Sequence, residues 1–221
     1  MEDIAGRDKP RLPVGAYMDE DYLIRSAQKG DLDAFNRLVL AYQQQGFNLA
    51  LRMLGDQFGA EDATQQSFIS AYEKIKTFRG GSFRAWILRI VTNNCYDELR
   101  RQKRRPTTEL NPDNTEYEEE IEEPEWLADN NSPSPEERYE QKELEVAIQG
   151  CISALPEEFR AVVVLVDLQG MDYQEAARVI NSPLGTVRSR LARARQRLQD
   201  CLQGAWELLP EKFRLTSESR S

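Results

Sequence analysis

Five arginines crowd the end of one segment, MDYQEAARVINSPLGTVRSRLARARQRLQ, residues 171–199. Wound as a helix, Leu184, Val187, Leu191, Ala194 and Leu198 fall within one arc of about 80°. The opposite side presents Gly185, Thr186, Ser189, Arg193 and Gln196, with Arg188 and Arg195 on one flank and Arg190 and Arg197 on the other. Short polar groups between two rows of guanidinium groups suit a helix lying in a DNA major groove. The polar groups face base edges and the arginines face the phosphate walls. Ser182 reads as the N-cap of this helix and Pro183 as its first position, so the amides of Leu184 and Gly185 could meet a phosphate. Upstream, Asp172 reads as the cap of a shorter helix, with Glu175 completing a capping box. Tyr173, Ala176, Ala177 and Ile180 form its buried side, and Asn181 and Ser182 make the turn. This is a helix-turn-helix pattern. An ordinary amphipathic helix with a solvated arginine face would leave the caps, the turn and the two-sided arginines without a common cause.

A second basic constellation ends the segment SFRAWILRIVTNNCYDELRRQKRR. Arg100, Arg101, Lys103, Arg104 and Arg105 place five cations in six positions at a helix C-terminus. They match the helix dipole and also form a phosphate-binding patch. Asn93 and Asp97 share a face of this helix, and Asn93 could hydrogen-bond an unpaired base or be a plain surface amide. Tyr72, Phe78, Phe83, Trp86 and Tyr96 surround the patch and read mostly as core. Phe78, beside the glycine loop Phe78–Ser82, is the best candidate for partial exposure and base stacking.

The elements that must position these residues read as helices throughout. Periodic apolar positions begin near Asp19 and run through Leu23, Ala27, Ala34 and Leu38, with a break at Gly30 and a cap at Asp31. A longer pattern stops at Gly55, and Gly59 reads as further punctuation before AEDATQQSFISAYEKI. Residues 19–105 form a first all-helical domain and residues 138–202 a second, in which Pro156 opens one helix and Gly170 ends it. Residues 1–105 carry 17 basic and 14 acidic side chains, and residues 138–221 carry 12 of each. Residues 106–137 carry 12 acidic side chains and no basic ones, so the net charge of −9 is concentrated there. Like-charge repulsion and several prolines make this segment a flexible acidic linker. It reads as a tether, or alternatively as an acidic strand lying in a positively charged channel of a partner. The first 18 residues read as a flexible arm, and the tail from Gly204 as a short amphipathic turn followed by polar chain.

Composition excludes several classes. Histidine is absent, which removes the commonest general base near neutral pH. Neither a phosphate loop of the GxxxxGK type nor a metal-ligand cluster is present, so no enzyme activity, metal or cofactor is implied. Cys95, Cys151 and Cys201 are far apart and odd in number, and no disulfide framework is expected. The longest apolar run, around Ala161–Val166, is too short to span a membrane, and the charged N-terminus lacks a signal-peptide core. A cytoplasmic protein without membrane insertion is expected.

The two halves together resemble the extracytoplasmic-function subfamily of bacterial RNA polymerase sigma factors. The resemblance rests on DLDAFNRLVLAYQQQGFNLALRMLGD, AEDATQQSFISAYEKIKTFRG and SFRAWILRIVTNNCYDELRRQKRR in the first half. In the second it rests on ALPEEFRAVVVLVDLQGMDYQEAARVINSPLGTVRSRLARARQRL. It implies a factor that docks on core RNA polymerase, reads the −35 promoter element as duplex and stabilises a melted −10 element. By resemblance, Asp62, Gln65, Gln66 and Phe68 face the polymerase. The loop Phe78, Arg79, Gly80, Gly81 and Ser82 would join Asn93 in a pocket for one unpaired −10 base, with the RRQKRR cluster on the backbone nearby. Ser182, Gly185, Thr186, Arg188, Ser189, Arg190, Arg193, Arg195, Gln196 and Arg197 would meet the −35 element. Gly81 stands where the subfamily often has a bulkier or acidic residue, and the linker is unusually acidic. These departures leave room for a further regulatory contact, an anti-sigma protein among the candidates. The competing reading is a helix-turn-helix regulator that acts without core polymerase, which would leave the first domain without a role.

Overall fold

The computed structural model describes residues 19–104 and 135–203, and their regular structure is helical throughout. The N-terminal arm, Arg105, the acidic segment through residue 134 and the tail from Gly204 lie outside the described residues.

The first half opens with α1 (Glu20–Gln28) and α2 (Leu32–Leu54). Asp19 caps α1 through the Tyr22 amide at 3.3 Å, and Asp31 caps α2 through the amides of Asp33 and Ala34 at 3.0 and 3.2 Å. Gly55 ends α2 in the left-handed conformation, φ +85°. The break expected at Gly59 is absent, because α3 (Gln57–Lys74) begins two residues before it. Asp56 is the cap, and its carboxylate accepts from the Gly59 amide at 2.5 Å. A Cβ at Gly59 would lie 2.7 Å from that carboxylate, so this glycine admits the cap and does not interrupt the helix. A 3₁₀ turn (Ile75–Thr77) and the glycine loop lead into α4 (Phe83–Arg104). Leu38, Met53, Phe83, Ile87 and Val91 are completely or almost completely buried among these helices.

The second half comprises α5 (Pro135–Ser153), α6 (Glu157–Val163), a π-helical turn (Val164–Leu168), α7 (Tyr173–Val179) and α8 (Leu184–Gln203). Helix α5 starts three residues inside the segment read as linker. Asp172 caps α7 through the amides of Gln174 and Glu175 at 2.7 and 2.8 Å. Ser182 does not play the capping part expected of it: its hydroxyl donates to the Ile180 carbonyl and accepts from Arg190 at 3.3 Å. Asn181, at φ +50°, turns the chain so that the Pro183 carbonyl receives the Thr186 and Val187 amides, and α8 begins at Leu184. Short α7 and long α8 pack together over Ala176, Val179, Val187 and Leu191.

The two helical clusters also pack on each other, a contact that a charged tether in the sequence does not announce. Arg52 at the end of α2 donates to Gln149 of α5 at 2.9 Å, and Arg84 of α4 donates to the Gln169 carbonyl. Lys103 of α4 pairs with Glu157 of α6 at 2.7 Å. The central contact is Arg160, only 7% exposed. Its guanidinium donates to the Met53 carbonyl of the first half and to the Ser153 and Leu155 carbonyls of the second. Burial lowers its pKa and Glu157 opposes that shift.

The expectation of unpaired cysteines is corrected as well: Cys151 and Cys201 form a disulfide. Fifty residues separate them in sequence, and only the packing of α5 against α8 brings them together. Cys95 is a free, buried thiol.

Arg160→Ala is expected to leave two buried carbonyls and a half-buried one short of a donor and to cost roughly 2–4 kcal/mol. Urea unfolding of both proteins measures the loss; an unchanged midpoint would remove Arg160 from the joint between the halves.

Candidate nucleic-acid interface

Helix α8 turns Val187, Leu191 and Ala194 into the core, each 2% exposed or less. That burial leaves Gly185, Arg188, Ser189, Arg193, Arg195, Gln196 and Arg197 exposed, with Thr186, Ser182 and Arg190 half-buried. The arginines differ in what engages them. Arg195 forms a two-point ion pair with Asp167 on the π-helical turn, at 3.0 and 2.5 Å. Arg190 pairs with Glu158 at 2.6 Å. Arg197 lies 5.0 Å above the Phe159 ring. Arg188 and Arg193 are exposed and enter no ion pair or side-chain hydrogen bond among the described residues. Ser189 donates to the Thr186 carbonyl at 3.1 Å and Gln196 to Asp200 at 2.9 Å. The helical wheel sets Arg193 between two flanking pairs, but only the fold separates two unengaged arginines from three engaged ones.

In the first half, Ser82 caps α4 by accepting from the Ala85 amide at 3.1 Å. Gln28 of α1 donates to both the Ile75 and Phe78 carbonyls, at 3.1 and 2.9 Å, and so ties down the start of the glycine loop. Phe78 is not the exposed aromatic that its position beside the loop suggested. It is 8% exposed and packs edge-on against Phe83 at 5.4 Å and tilted against Trp86 at 5.5 Å. Burying that ring stabilises the loop's root more than solvent contact would. Arg79, Gly80, Gly81 and Ser82 are exposed, and both glycines have positive φ, +101° and +91°.

Asn93 is exposed on α4, and its neighbour Asn94 donates to Ser67 of α3 at 2.8 Å. Helical rise alone places Asn93 about 15 Å along α4 from Phe83. Arg100, Arg101, Lys103 and Arg104 are exposed at the end of α4. Arg100 and Arg101 pair with Asp97 and Glu98 at 3.4 and 2.6 Å, and Arg104 donates to the Arg100 carbonyl. Arg105 lies outside the described residues.

A third surface lies between α2 and α3. Leu32, Phe35, Val39, Gln65, Phe68 and Ile69 are among the residues that line a groove with a volume of about 620 Å³. Of the four residues expected to face a protein partner, Gln65 and Phe68 border it, while Asp62 and Gln66 are exposed outside it. Leu32 and Ile69 were missed by sequence reasoning. They are apolar yet 54% and 48% exposed, which only the fold reveals. Among the described residues no cluster could hold a metal ion, and no helix is long and apolar enough to cross a membrane.

Comparison with known proteins matches the two halves separately. Residues 38–105 match the Sigma-70 region 2 family and residues 145–198 the Sigma-70 region 4 family. The chain is 36% identical over 186 residues to the RNA polymerase sigma-H factor of Pseudomonas aeruginosa, covering 83% of this chain and 94% of that protein. It is 35% identical over 171 residues to the ECF RNA polymerase sigma factor SigE of Mycolicibacterium smegmatis, covering 77% of this chain and 62% of that protein. Among solved structures, CnrH in complex with the cytosolic domain of CnrY is similar with a TM-score of 0.60 and 25% identity, over 84% of this chain and 99% of that one.

Asp167 holds a guanidinium that could otherwise reach phosphate. Asp167→Asn is therefore expected to tighten binding of arbitrary duplex DNA by a few-fold at low salt, by releasing Arg195 and removing a negative charge. Fluorescence anisotropy with an unrelated duplex checks this; equal or weaker binding would show that the pair positions Arg195 and does not restrain it.

Proposed function

The chain belongs to the extracytoplasmic-function family of RNA polymerase sigma factors, and on that premise we propose how its surfaces divide the work. As a sigma factor it associates with RNA polymerase and directs initiation at promoter DNA, and it is not an enzyme: nucleotide transfer belongs to the polymerase. The two helical clusters act as separate modules once docked. The first, residues 19–105, meets the polymerase and the −10 element. The second, residues 138–202, reads the −35 element. The acidic stretch 106–137 runs beside a basic channel of the polymerase, since its charge repels DNA.

The observation that carries this division is the pair of surfaces on α8. One side is buried by Val187, Leu191 and Ala194, and the other offers exposed Arg193 among Gly185, Ser189 and Gln196. Arg193 and Arg188 enter no other ion pair or hydrogen bond among the described residues and can engage DNA without breaking one. Arg190 and Arg195 must first exchange Glu158 and Asp167 for phosphate. The groove of Phe35, Gln65, Phe68 and Ile69 fits an apolar helix from the polymerase, with Asp62 and Gln66 as flanking polar contacts. The same groove would suit a regulatory protein; the solved relative captured with CnrY supports a second partner.

At the −10 element, the exposed loop Arg79–Ser82 and Asn93 hold successive positions of one unpaired strand, given their spacing along α4. Phe78 supports the loop from beneath. The cations Arg100, Arg101, Lys103, Arg104 and Arg105 follow the backbone. Opening the duplex costs a few kcal/mol per unstacked step, and these contacts offset part of it only after melting begins.

Copurification with core polymerase separates this reading from that of a stand-alone helix-turn-helix regulator. With assembled holoenzyme and promoters selected from a library randomised at −35, Arg193→Ala should change the preference among single-base variants by about 1–3 kcal/mol. Arg188→Ala should weaken all of them alike. A uniform loss from Arg193→Ala would move it from base reading to backbone positioning.

Asn93→Ala should leave core binding and −35 preference nearly unchanged while lowering the fraction of open complex. Permanganate reactivity of thymines near the start site reads that fraction. Unchanged reactivity would take Asn93 off the single strand, and lost core binding would mean that this face of α4 meets the polymerase instead.

A further inference from the structure

Helix α8 is unevenly held. Its N-terminal half is fixed by three core residues, Val187, Leu191 and Ala194. From Arg195 to Gln203 no residue is buried, and only Leu198 and Leu202 are even half-buried. This stretch carries Arg195, Gln196 and Arg197 and follows directly on Arg193. Among the described residues, little apolar surface is lost when this stretch of the helix opens, so opening it is cheap. One covalent tie counters this, the bond from Cys201 to Cys151 of α5. Cys151 is 6% exposed, and Ile152 and Leu155 nearby belong to the core. Cys201 is exposed on its helix.

We propose that Cys151 and Cys201 are a reversible thiol–disulfide pair, and that closing it orders the C-terminal half of α8 and strengthens its grip on duplex DNA. This rests on the reading of α8 as the −35 helix. An accessible sulfur makes the bond open to exchange, whereas a purely structural disulfide is usually buried on both sides. RNA polymerase works where cellular thiols are kept reduced, and there disulfides are mostly transient or sensing. The oxidant is a small-molecule disulfide such as glutathione disulfide. The exposed Cys201 thiolate attacks it, forming a mixed disulfide and releasing one glutathione thiolate. The Cys151 thiolate then attacks the Cys201 sulfur and releases the second glutathione. Two protein thiols and one small disulfide thus become one protein disulfide and two small thiols, and the two cysteine protons pass to the released glutathiones. A dithiol reductant runs the sequence backwards. Cys95 stands apart: burial first, then Glu98, pushes its thiol up to about 12, so it supplies little thiolate.

The direction of the effect follows from the loop that the bond closes. It spans α6, α7 and α8, the whole helix-turn-helix, and joins its far end to α5, whose Gln149 is hydrogen-bonded to Arg52 of the first half. Reduction leaves the half-buried Leu198 and Leu202, the exposed Arg195–Asp167 pair and the contact of Arg197 with the Phe159 ring as the noncovalent holds on this stretch. Arg195 and Arg197 then sample more positions, and their contribution to duplex binding falls through lost preorganisation.

The test uses full-length protein in three forms: treated with glutathione disulfide, reduced with dithiothreitol, and carrying Cys151→Ser with Cys201→Ser. Intact mass reports the bond. Amide exchange over residues 195–203 reports order, and assembled holoenzyme on a selected promoter reports binding. Oxidation is expected to slow that exchange about tenfold or more and to tighten promoter binding roughly 3–10-fold. The double variant should match the reduced form in both buffers; Cys201→Ser alone, at an exposed position, serves if the double variant folds poorly. Failure to form the bond in a glutathione redox buffer would overturn the proposal, as would oxidation effects that persist in the variants. Slower exchange with unchanged binding, on a promoter that responds to Arg193→Ala, would sever the switch from DNA. If the promoter responds to neither change, the assignment of α8 itself fails.

Discussion

One guanidinium, that of Arg160, ties together three segments that would otherwise each need a separate partner. Met53 lies in the last turn of α2, Ser153 closes α5, and Leu155 leads into α6; their carbonyls, buried or half-buried, all accept from this one side chain. Helix C-terminal carbonyls lack intrahelical donors, and burying them unpaired is costly. A planar group with five donors in a fixed fork serves several acceptors in preset directions, whereas a lysine ammonium offers three donors from a single point. Arg160 therefore fixes α6 against the end of α2, and α8 packs in turn on α6.

Much of this architecture was legible in the sequence because its signals are local. Asp19, Asp31 and Asp172 cap helices where acids precede apolar periods, and Gly55 and Gly170 adopt positive φ where those periods stop. The buried stripe of α8 followed from spacing alone. What escaped was either a local contact read the wrong way or a pairing of segments far apart in sequence. Gly59 looked like a break, although Asp56, three residues before it, is the cap whose carboxylate occupies the space over its Cα. Phe78 looked exposed because the loop beside it is, yet Phe83 and Trp86 cover its ring. Cys151 and Cys201 looked solitary at a separation of fifty residues. Of the candidate site, the residue types could be read but not their engagements, since Glu158 and Asp167 belong to α6 and the turn after it.

Those engagements give the molecule an internal set of phosphate substitutes. Glu157 holds Lys103, Glu158 holds Arg190 and Asp167 holds Arg195, with N–O distances of 2.5 to 2.7 Å. All three acids lie between α5 and α7. They reduce the bare charge that the basic surfaces present, which otherwise binds any polyanion, while Arg188 and Arg193 stay unpaired among the described residues. Each pair is at least partly exposed and so contributes little to stability. On the proposed reading its effect is on selectivity, because a DNA backbone would have to displace a carboxylate already in place.

The glycine loop has a bearing on how such a factor changes over evolutionary time. At Gly80 and Gly81 a Cβ would meet nothing within 4 Å, so there is room for side chains, but the positive φ of both residues strains any that could be added. The obstacle to altering the loop tip is torsional and not steric. On the proposed reading of the loop as a base contact, new preferences would be easier to reach by exchanging Arg79 or Ser82, or by changing the loop's length, than by replacing either glycine. The root held by Gln28 and Phe78 would stay in place while the tip is rebuilt.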